Sequence, residues 1–331
     1  MTKTFSPGYM KEFRCISSQC PDSCCTGWLV RLDERTVSLY RNSSSDIFSN
    51  FDSLTFEKDG EICMKMKDGR CPYLEENGLC RIYSYLGFSS LPEICKLHPI
   101  FINPSDDYTE SGLGLSCEPS MKLILSADAE DYINEDFSSE DERLSFIIEN
   151  RNALINDIKD EEDIIEITDI LLKKAFEIQE EYDLRFFGIK KSGEEYSLKS
   201  SLKDFSLFSL DFINFLETLD SAGSEWENLF NDISSSGSLN IHPDDEDFPV
   251  FKRLLYYHLF RYLFDSAYGG MVFEETSLSV LLSLAPVILF HASERKYDIE
   301  SIARICSREI EYNEDNIEKM KDYIFTLTED D

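Results

Sequence analysis

Nine of the ten cysteines in this 331-residue chain lie within its first 117 positions. The run opens Cys15-x4-Cys20-x3-Cys24-Cys25 and continues with Cys63, Cys71, Cys80, Cys95 and Cys117, leaving Cys306 alone near the end. Thiols so clustered are usually metal ligands or disulfides. Zinc and iron–sulfur clusters commonly take four thiolates, some from a close pair in sequence and the rest from elsewhere. Cys15-x4-Cys20 and Cys20-x3-Cys24 have the spacings of a ligand loop. Neighbouring residues cannot easily aim both sulfurs at one tetrahedral ion, so the Cys24-Cys25 doublet suits two different irons or two different sites. Cys71 and Cys80 add a pair across a turn, and Cys95 and Cys117 complete eight. Eight thiols make two four-ligand sites, or one site with spares. Cys63 and Cys306 read instead as small buried hydrophobes.

The choice between metal and disulfide turns on compartment. The first residues, Met1 to Gly8, lack the apolar core of a signal peptide. The most apolar stretch, 278–292, carries Pro286 and falls short of the roughly 20 residues that span a membrane. It reads as a buried helix. The expected location is therefore cytoplasmic, where thiols stay reduced, and reduced, clustered thiols point to metal.

Charge narrows the partners. With 32 basic and 65 acidic side chains the formal charge is −33, which repels phosphate backbones and anionic lipid. We expect no nucleic-acid and no membrane partner. Such a field favours a basic protein substrate or lysine side chains, or simply confers solubility.

Other chemistry is sparse. His98, three residues after Cys95, could replace a thiolate; His258 reads as a satisfied core residue, His242 as solvated, and His291 as a helix-terminal imidazole suited to the dipole. Trp28 shields the doublet or packs beside it. The run Asp244-Asp245-Glu246-Asp247 lacks calcium-loop spacing. No strand leads into a Gly-x-Gly-x-Gly turn, so a Rossmann-type site is unsupported. Gly112-Leu113-Gly114 reads as a turn or strand edge.

The elements that hold these residues divide the chain in two. Only 14 Gly and 10 Pro, against 24 Phe and 16 Tyr, favour helices around an aromatic core. Residues 1–125 read as an irregular, cysteine-rich metal or iron–sulfur module with turns at Lys67-Asp68-Gly69 and Glu76-Asn77-Gly78 and small strands near 28–30, 62–66 and 113–115. Residues 126–331 read as a helical domain. Ser139-x-x-Glu142 looks like a capping box, opening a helix marked by Leu144, Ile147, Ile148, Ile155 and Ile158. Further helices are expected at 164–178, along Phe205, Phe208, Phe212, Leu216 and Leu219, at 251–268 and 278–291, and in two pieces between 299 and 324, with loops at 190–201 and 232–249. The fold class is mainly α, an irregular metal-binding N-terminal module packed on a C-terminal helical domain.

Several elements together carry a resemblance. Phe13-Arg14-Cys15, Cys20-Pro21-Asp22-Ser23-Cys24-Cys25-x-Gly27-Trp28, Gly69-Arg70-Cys71-Pro72-Tyr73-Leu74, Gly78-Leu79-Cys80, Leu91-Pro92-x-x-Cys95-Lys96 and Cys117 are similar to the flagellin lysine-N-methylase family of bacteria. A broader set of iron- or zinc-chelating proteins shares the doublet and the Cys-Pro-x-Leu element. The likeness is detailed over residues 10 to 120 and looser at Tyr256-Tyr257-His258-Leu259-Phe260-Arg261-Tyr262. One departure is His98-Pro99-Ile100, where an aromatic-Pro-Arg would be expected.

The resemblance implies methyl transfer from S-adenosylmethionine to lysines of flagellin, with a 4Fe–4S cluster on the cysteines; zinc is the alternative metal. The ligand set would be Cys15, Cys20, Cys24, Cys25, Cys71, Cys80, Cys95 and Cys117. Gly27 stands where a radical S-adenosylmethionine motif would need its third cysteine. Methylation requires a deprotonated lysine and so a base or a desolvating pocket; Tyr256, Tyr257 and Tyr262 are candidate walls, since a sulfonium favours aromatic faces. The competing readings are a non-catalytic zinc- or iron-stapled interaction protein and an iron–sulfur redox protein.

Overall fold

The computed structural model describes residues 2–20, 23–27, 29–190, 205–221, 223–236, 241 and 248–328. Trp28, His242 and the acidic run 244–247 lie outside the described residues, as does most of each expected loop. Helix dominates, in agreement with the mainly α class, and among the described residues strands are confined to the first 113 positions.

The cysteine-rich part has more regular structure than its sequence suggests. Strands β1 (Lys3–Phe5), β5 (Ile100–Pro104) and β6 (Tyr108–Leu113) form one sheet in the order β1-β6-β5, with β1 parallel to β6 and β5 antiparallel to it. Strands β2 (Arg31–Leu32), β3 (Thr55–Lys58) and β4 (Glu61–Met64) form a second, antiparallel sheet in the order β2-β4-β3. Short helices α1 (Glu34–Arg41), α2 (Arg81–Leu86), α3 (Glu93–Leu97) and α4 (Glu118–Ile124) fill the spaces between. Asp33 starts α1, accepting from Thr36 N at 2.8 Å, and also accepts from Glu93 N at 3.0 Å, tying α1 to α3.

Beyond residue 128 the elements are α5 (Ala129–Tyr132), α6 (Glu142–Asp157), α7 (Ile164–Phe187), α8 (Phe205–Glu217), α9 (Ser224–Ser236), α10 (Phe248–Tyr262), α11 (Ser266–Gly269), α12 (Val272–Ala292), α13 (Ile299–Cys306) and α14 (Glu314–Thr328). A single π turn, Ser307–Glu311, joins the last two. The cap of α6 is Asp141, which accepts from Arg143 N and Leu144 N. Ser139 does not cap the helix; its hydroxyl accepts from Asp141 N at 3.0 Å and donates to Asp107 at 2.7 Å. Helix α7 outruns its expected end because apolar residues continue to Phe187, and it stops only where Gly188 turns left-handed. Residues 232–236 and 248–249, expected as loop, are the ends of α9 and α10.

Two apolar cores result. One gathers Val30, Tyr40, Phe48, Phe51, Met64, Tyr73, Ile82 and Leu91 around the β2-β4-β3 sheet. The other is the helical core, and it also takes in Tyr9, Tyr108, Leu113, Leu115 and Met121 from the first third of the chain. Its centre is α12, long and apolar enough to cross a membrane but with 89% of its apolar window buried inside the protein. Arg151 of α6 reaches across to β6 and is wholly buried in a bidentate pair with Glu110, both N–O distances being 2.7 Å.

Candidate functional site

Backbone turns, rather than long elements, assemble the cysteines. Asp68 and Gly69 both have positive φ (51° and 70°), the requirement of a tight type I′ reversal. Lys67 and Arg70 accordingly exchange two backbone bonds of 3.0 Å. The returning strand pairs with the doublet loop: Gly27 N donates to Gly69 O at 2.9 Å, and Cys71 N to Cys25 O at 2.8 Å. Cys25 and Cys71 are thus set side by side. The Glu76-Asn77-Gly78 turn then folds back, with Glu75 N donating to Leu79 O and Arg81 N to Tyr73 O, which returns Cys80 toward Cys71.

The thiols follow this path. Cys25 is hydrogen-bonded to the thiols of Cys24 and Cys80 and lies in the field of Cys71. Cys95, on the one-turn helix α3, lies in the field of Cys71, Cys24 and Cys80. At the other end Cys15 and Cys20 flank the turn Ser17–Gln19, with Ser17 N donating to Cys15 Sγ at 3.4 Å. Cys117 stands at the start of α4, in the field of Cys20, Cys15 and Cys24. The fields of the eight expected ligands thus reach others of the set. Cys63 and Cys306 are buried away from them, at 0% and 4% exposure.

Proton affinities differ sharply within the group. Hydrogen bonds with Cys24 and then Cys80 push Cys25 far upward. The bond from Cys25 draws Cys80 down to about 6, helped against burial by the Tyr83 and Ile82 amides at the start of α2. Burial raises Cys71 to about 11, Cys117 to about 12, and Cys95 further still. Cys80 is the natural thiolate. Metal binding would have to displace protons from the rest, and such sites ordinarily close only with metal present. Among the described residues no three His, Cys, Asp or Glu side chains stand together so that they could hold a metal ion. One tetrahedral ion needs sulfurs within about 4 Å of each other, given bonds near 2.3 Å; a 4Fe–4S cube holds them farther apart. All eight candidate ligands would offer sulfur, the donor that zinc and iron–sulfur clusters take.

A cleft of about 430 Å³ opens where the two cores meet, lined by Arg31, Asp33, Glu61, Glu93, Ile94, Leu97, His98, Pro99, Ile100 and Tyr312 among others. Helix α3 is its wall, so the turn that carries Cys95 also borders the cleft. At the rim Arg31 bridges Glu61 (3.1 Å) and Glu314 (2.9 Å). Burial lowers His98 to about 4, so its imidazole is neutral at physiological pH.

Behind Tyr312 lies a buried charge network that sequence reasoning missed. Glu311, at the end of the π turn, pairs with Arg261 at 3.1 Å and accepts from Tyr262 at 3.0 Å and Tyr257 at 3.3 Å. Burial disfavours its charge, but Arg261 outweighs burial and lowers Glu311 to about 2. The Arg261 guanidinium is ringed by Phe101, Tyr262, Tyr312 and Tyr257 at 5.0 to 5.9 Å. The aromatic residues considered as pocket walls thus enclose the chain's own cation, and Tyr256 is buried apart from them. His258 is a core residue as expected, bonded to Ser283 at 2.8 Å. Arg261 was visible in the Tyr-rich motif; Glu311 carried no signal, because a π turn breaks the 3.6-residue pattern that would have placed it.

The doublet loop also meets the helical part at Gly27, whose φ is +78° and where a Cβ would stand 3.0 Å from Arg308 Cδ. The doublet loop therefore rests on the π turn.

Among known proteins, flagellar biosynthetic protein FliU of Salmonella muenchen is 30% identical over 127 residues, 36% of this chain and 75% of that protein. The chain belongs to the flagellin lysine-N-methylase family. Lysine-N-methylase of Salmonella typhimurium (strain LT2) is 32% identical over 127 residues, as is that of Salmonella choleraesuis. This family member spans 32% of the length of each of those two methylases. No family model matches the chain, and no solved structure does.

Proposed function

We propose that this chain is a protein-lysine N-methyltransferase acting on flagellin, with S-adenosylmethionine as methyl donor and its cysteines holding a 4Fe–4S cluster, zinc being the alternative occupant. The observation that carries the reading is the 127-residue likeness to proteins named lysine-N-methylase, in a chain whose helix α3, the bearer of Cys95, borders a cleft. Cys15, Cys20, Cys24, Cys25, Cys71, Cys80, Cys95 and Cys117 would hold the metal. The donor supplies an electrophilic methyl group; the chain must supply a neutral amine. Asp33, Glu61 and Glu93 at the cleft draw an ammonium toward it. Ile94, Leu97, Pro99 and Ile100 then strip water from its inner end, which lowers the pKa of a lysine that ordinarily titrates near 10.4. Neutral His98 adds no opposing charge.

The limited span of the methylases favours a second reading, in which metal staples a non-catalytic interaction module. Transfer of a labelled methyl group from S-adenosylmethionine to flagellin by the anaerobically purified, metal-loaded chain separates the two. Label on flagellin lysine supports catalysis. Unlabelled flagellin with intact metal supports the module.

A further inference from the structure

We propose that Arg31 guards the cleft as an internal stand-in for the substrate's cation, held across the rim by Glu61 and Glu314 and displaced when a lysine enters. The inference rests on reading the cleft as the lysine site and goes beyond it by naming the residue that controls admission.

Two strands and a helix start set the guard in place. Arg31 on β2 stands opposite Cys63 of β4, so Glu61, two residues away on β4, is its diagonal neighbour on the same face of the sheet. The chain reverses tightly just before Glu61, with positive φ at Asp59 (54°) and Gly60 (82°). Glu314 comes from the helical part, as the first residue of α14. Arg31 Nε meets Glu61 at 3.1 Å, and its two terminal nitrogens donate to the two Glu314 oxygens at 2.9 and 3.3 Å. One guanidinium thus fastens the cysteine-rich part to the helical part at the edge of the cleft.

The charges around the cleft show what an entering ammonium must replace. Among the described residues that line it, Arg31 is the one basic side chain. Each lining acid already has a partner. Asp33 accepts from Thr36 N, Thr36 Oγ1 and Glu93 N at 2.7 to 3.0 Å. Glu93 pairs with Lys96 at 3.3 Å, and Glu61 with Arg31. The Asp33 bonds tie α1 to α3 and belong to the fold. Arg31 is the partner most readily exchanged, its side chain being 35% exposed against 14% for Lys96. Exposed ion pairs are weak and open at little cost. A lysine that takes Glu61 from Arg31 replaces one cation by another and leaves the charge at the rim unchanged.

The test is the dissociation constant of a five-residue peptide, acetyl-Gly-Ser-Lys-Ser-Gly-amide, for the anaerobically purified chain, followed by ligand-observed NMR. The same peptide with norleucine in place of lysine is the control for charge. Glu314→Gln is the decisive variant, because Glu314 stands outside the cleft lining and only its hold on Arg31 is lost. Removing a negative charge should by itself weaken binding of a cation; release of the guard should instead tighten it, about two- to fivefold, the scale of an exposed ion pair. Arg31→Gln should tighten binding at least as much, and Ile94→Trp, which narrows the cleft, should abolish it. Unchanged or weaker binding by Glu314→Gln, or weaker binding by Arg31→Gln, overturns the guard while the cleft remains the lysine site. A lysine peptide that binds no better than its norleucine counterpart, or equally well to Ile94→Trp, overturns the lysine-site reading and the guard with it.

Discussion

Arg151 and Glu110 offer the sharpest energetic test of how the two halves are joined. Both side chains are wholly buried and meet through two bonds of 2.7 Å; Arg151 also donates to Phe260 O at 3.3 Å and covers its ring. Replacing Arg151 with Met keeps much of the volume but leaves a carboxylate in the apolar core. Removing one partner of a buried pair costs about 3–5 kcal/mol, and for a domain of this size roughly 2–4 °C of Tm accompanies each kcal/mol. The Arg151→Met protein should therefore melt on the order of 10 °C lower. Glu110→Leu in the same chain removes the stranded charge and should recover most of the loss, because an apolar pair of similar size often equals a buried ion pair. Circular dichroism melts of the four proteins of the cycle, at matched metal content, provide the measurement. A single Arg151→Met substitution costing under about 1 kcal/mol, below the range given for buried pairs, would refute the reasoning. So would a double variant as unstable as the single.

Three further outcomes are expected. Gly27→Ala forces a left-handed Ala worth about 1–2 kcal/mol of strain and presses on Arg308, so urea titration should show at least that loss and metal analysis a reduced content; unchanged values of both would contradict the contact. Glu311 is held at about 2, below its ordinary value near 4.3, so its contribution is full above that ordinary value and fades as pH falls toward 2; the stability gap between wild type and Glu311→Gln should be flat from pH 8 to 5 and shrink below about 4. A gap that stays constant to the acid end would exclude the Arg261 pairing as its source. His98, lowered to about 4 by burial, favours the folded state above its ordinary value near 6.5 and progressively less from there down to 4. NMR of the imidazole should show titration near 4, and an unshifted His98 would mean the cleft floor is wet.

What could be read from the residues themselves was largely local. The eight thiols stood out by their clustering in sequence, while Phe205, Phe208, Phe212, Leu216 and Leu219 were legible because burial follows their helical period. The turns at Gly69 and Gly78 carried the same clarity. What escaped was long-range pairing. Nothing local tells Lys3–Phe5 to lie parallel to Tyr108–Leu113, nor the doublet loop to pair with Gly69 and Cys71. Ser139 lost the cap to Asp141 because Asp107, distant in sequence, claims its hydroxyl. The cleft was invisible for the same reason: Asp33, Glu93 and Tyr312 meet only when the two cores close on each other.

The most direct measurement is the intact mass of flagellin after incubation with the metal-loaded chain and S-adenosylmethionine under reducing, anaerobic conditions, with lysines then located by fragmentation. The account predicts added methylene masses on lysine, and their disappearance with Ile94→Trp, which narrows the cleft, in protein whose metal content is measured to match that of the wild type. Unmodified flagellin from the fully loaded chain, or undiminished methylation by Ile94→Trp, would contradict it.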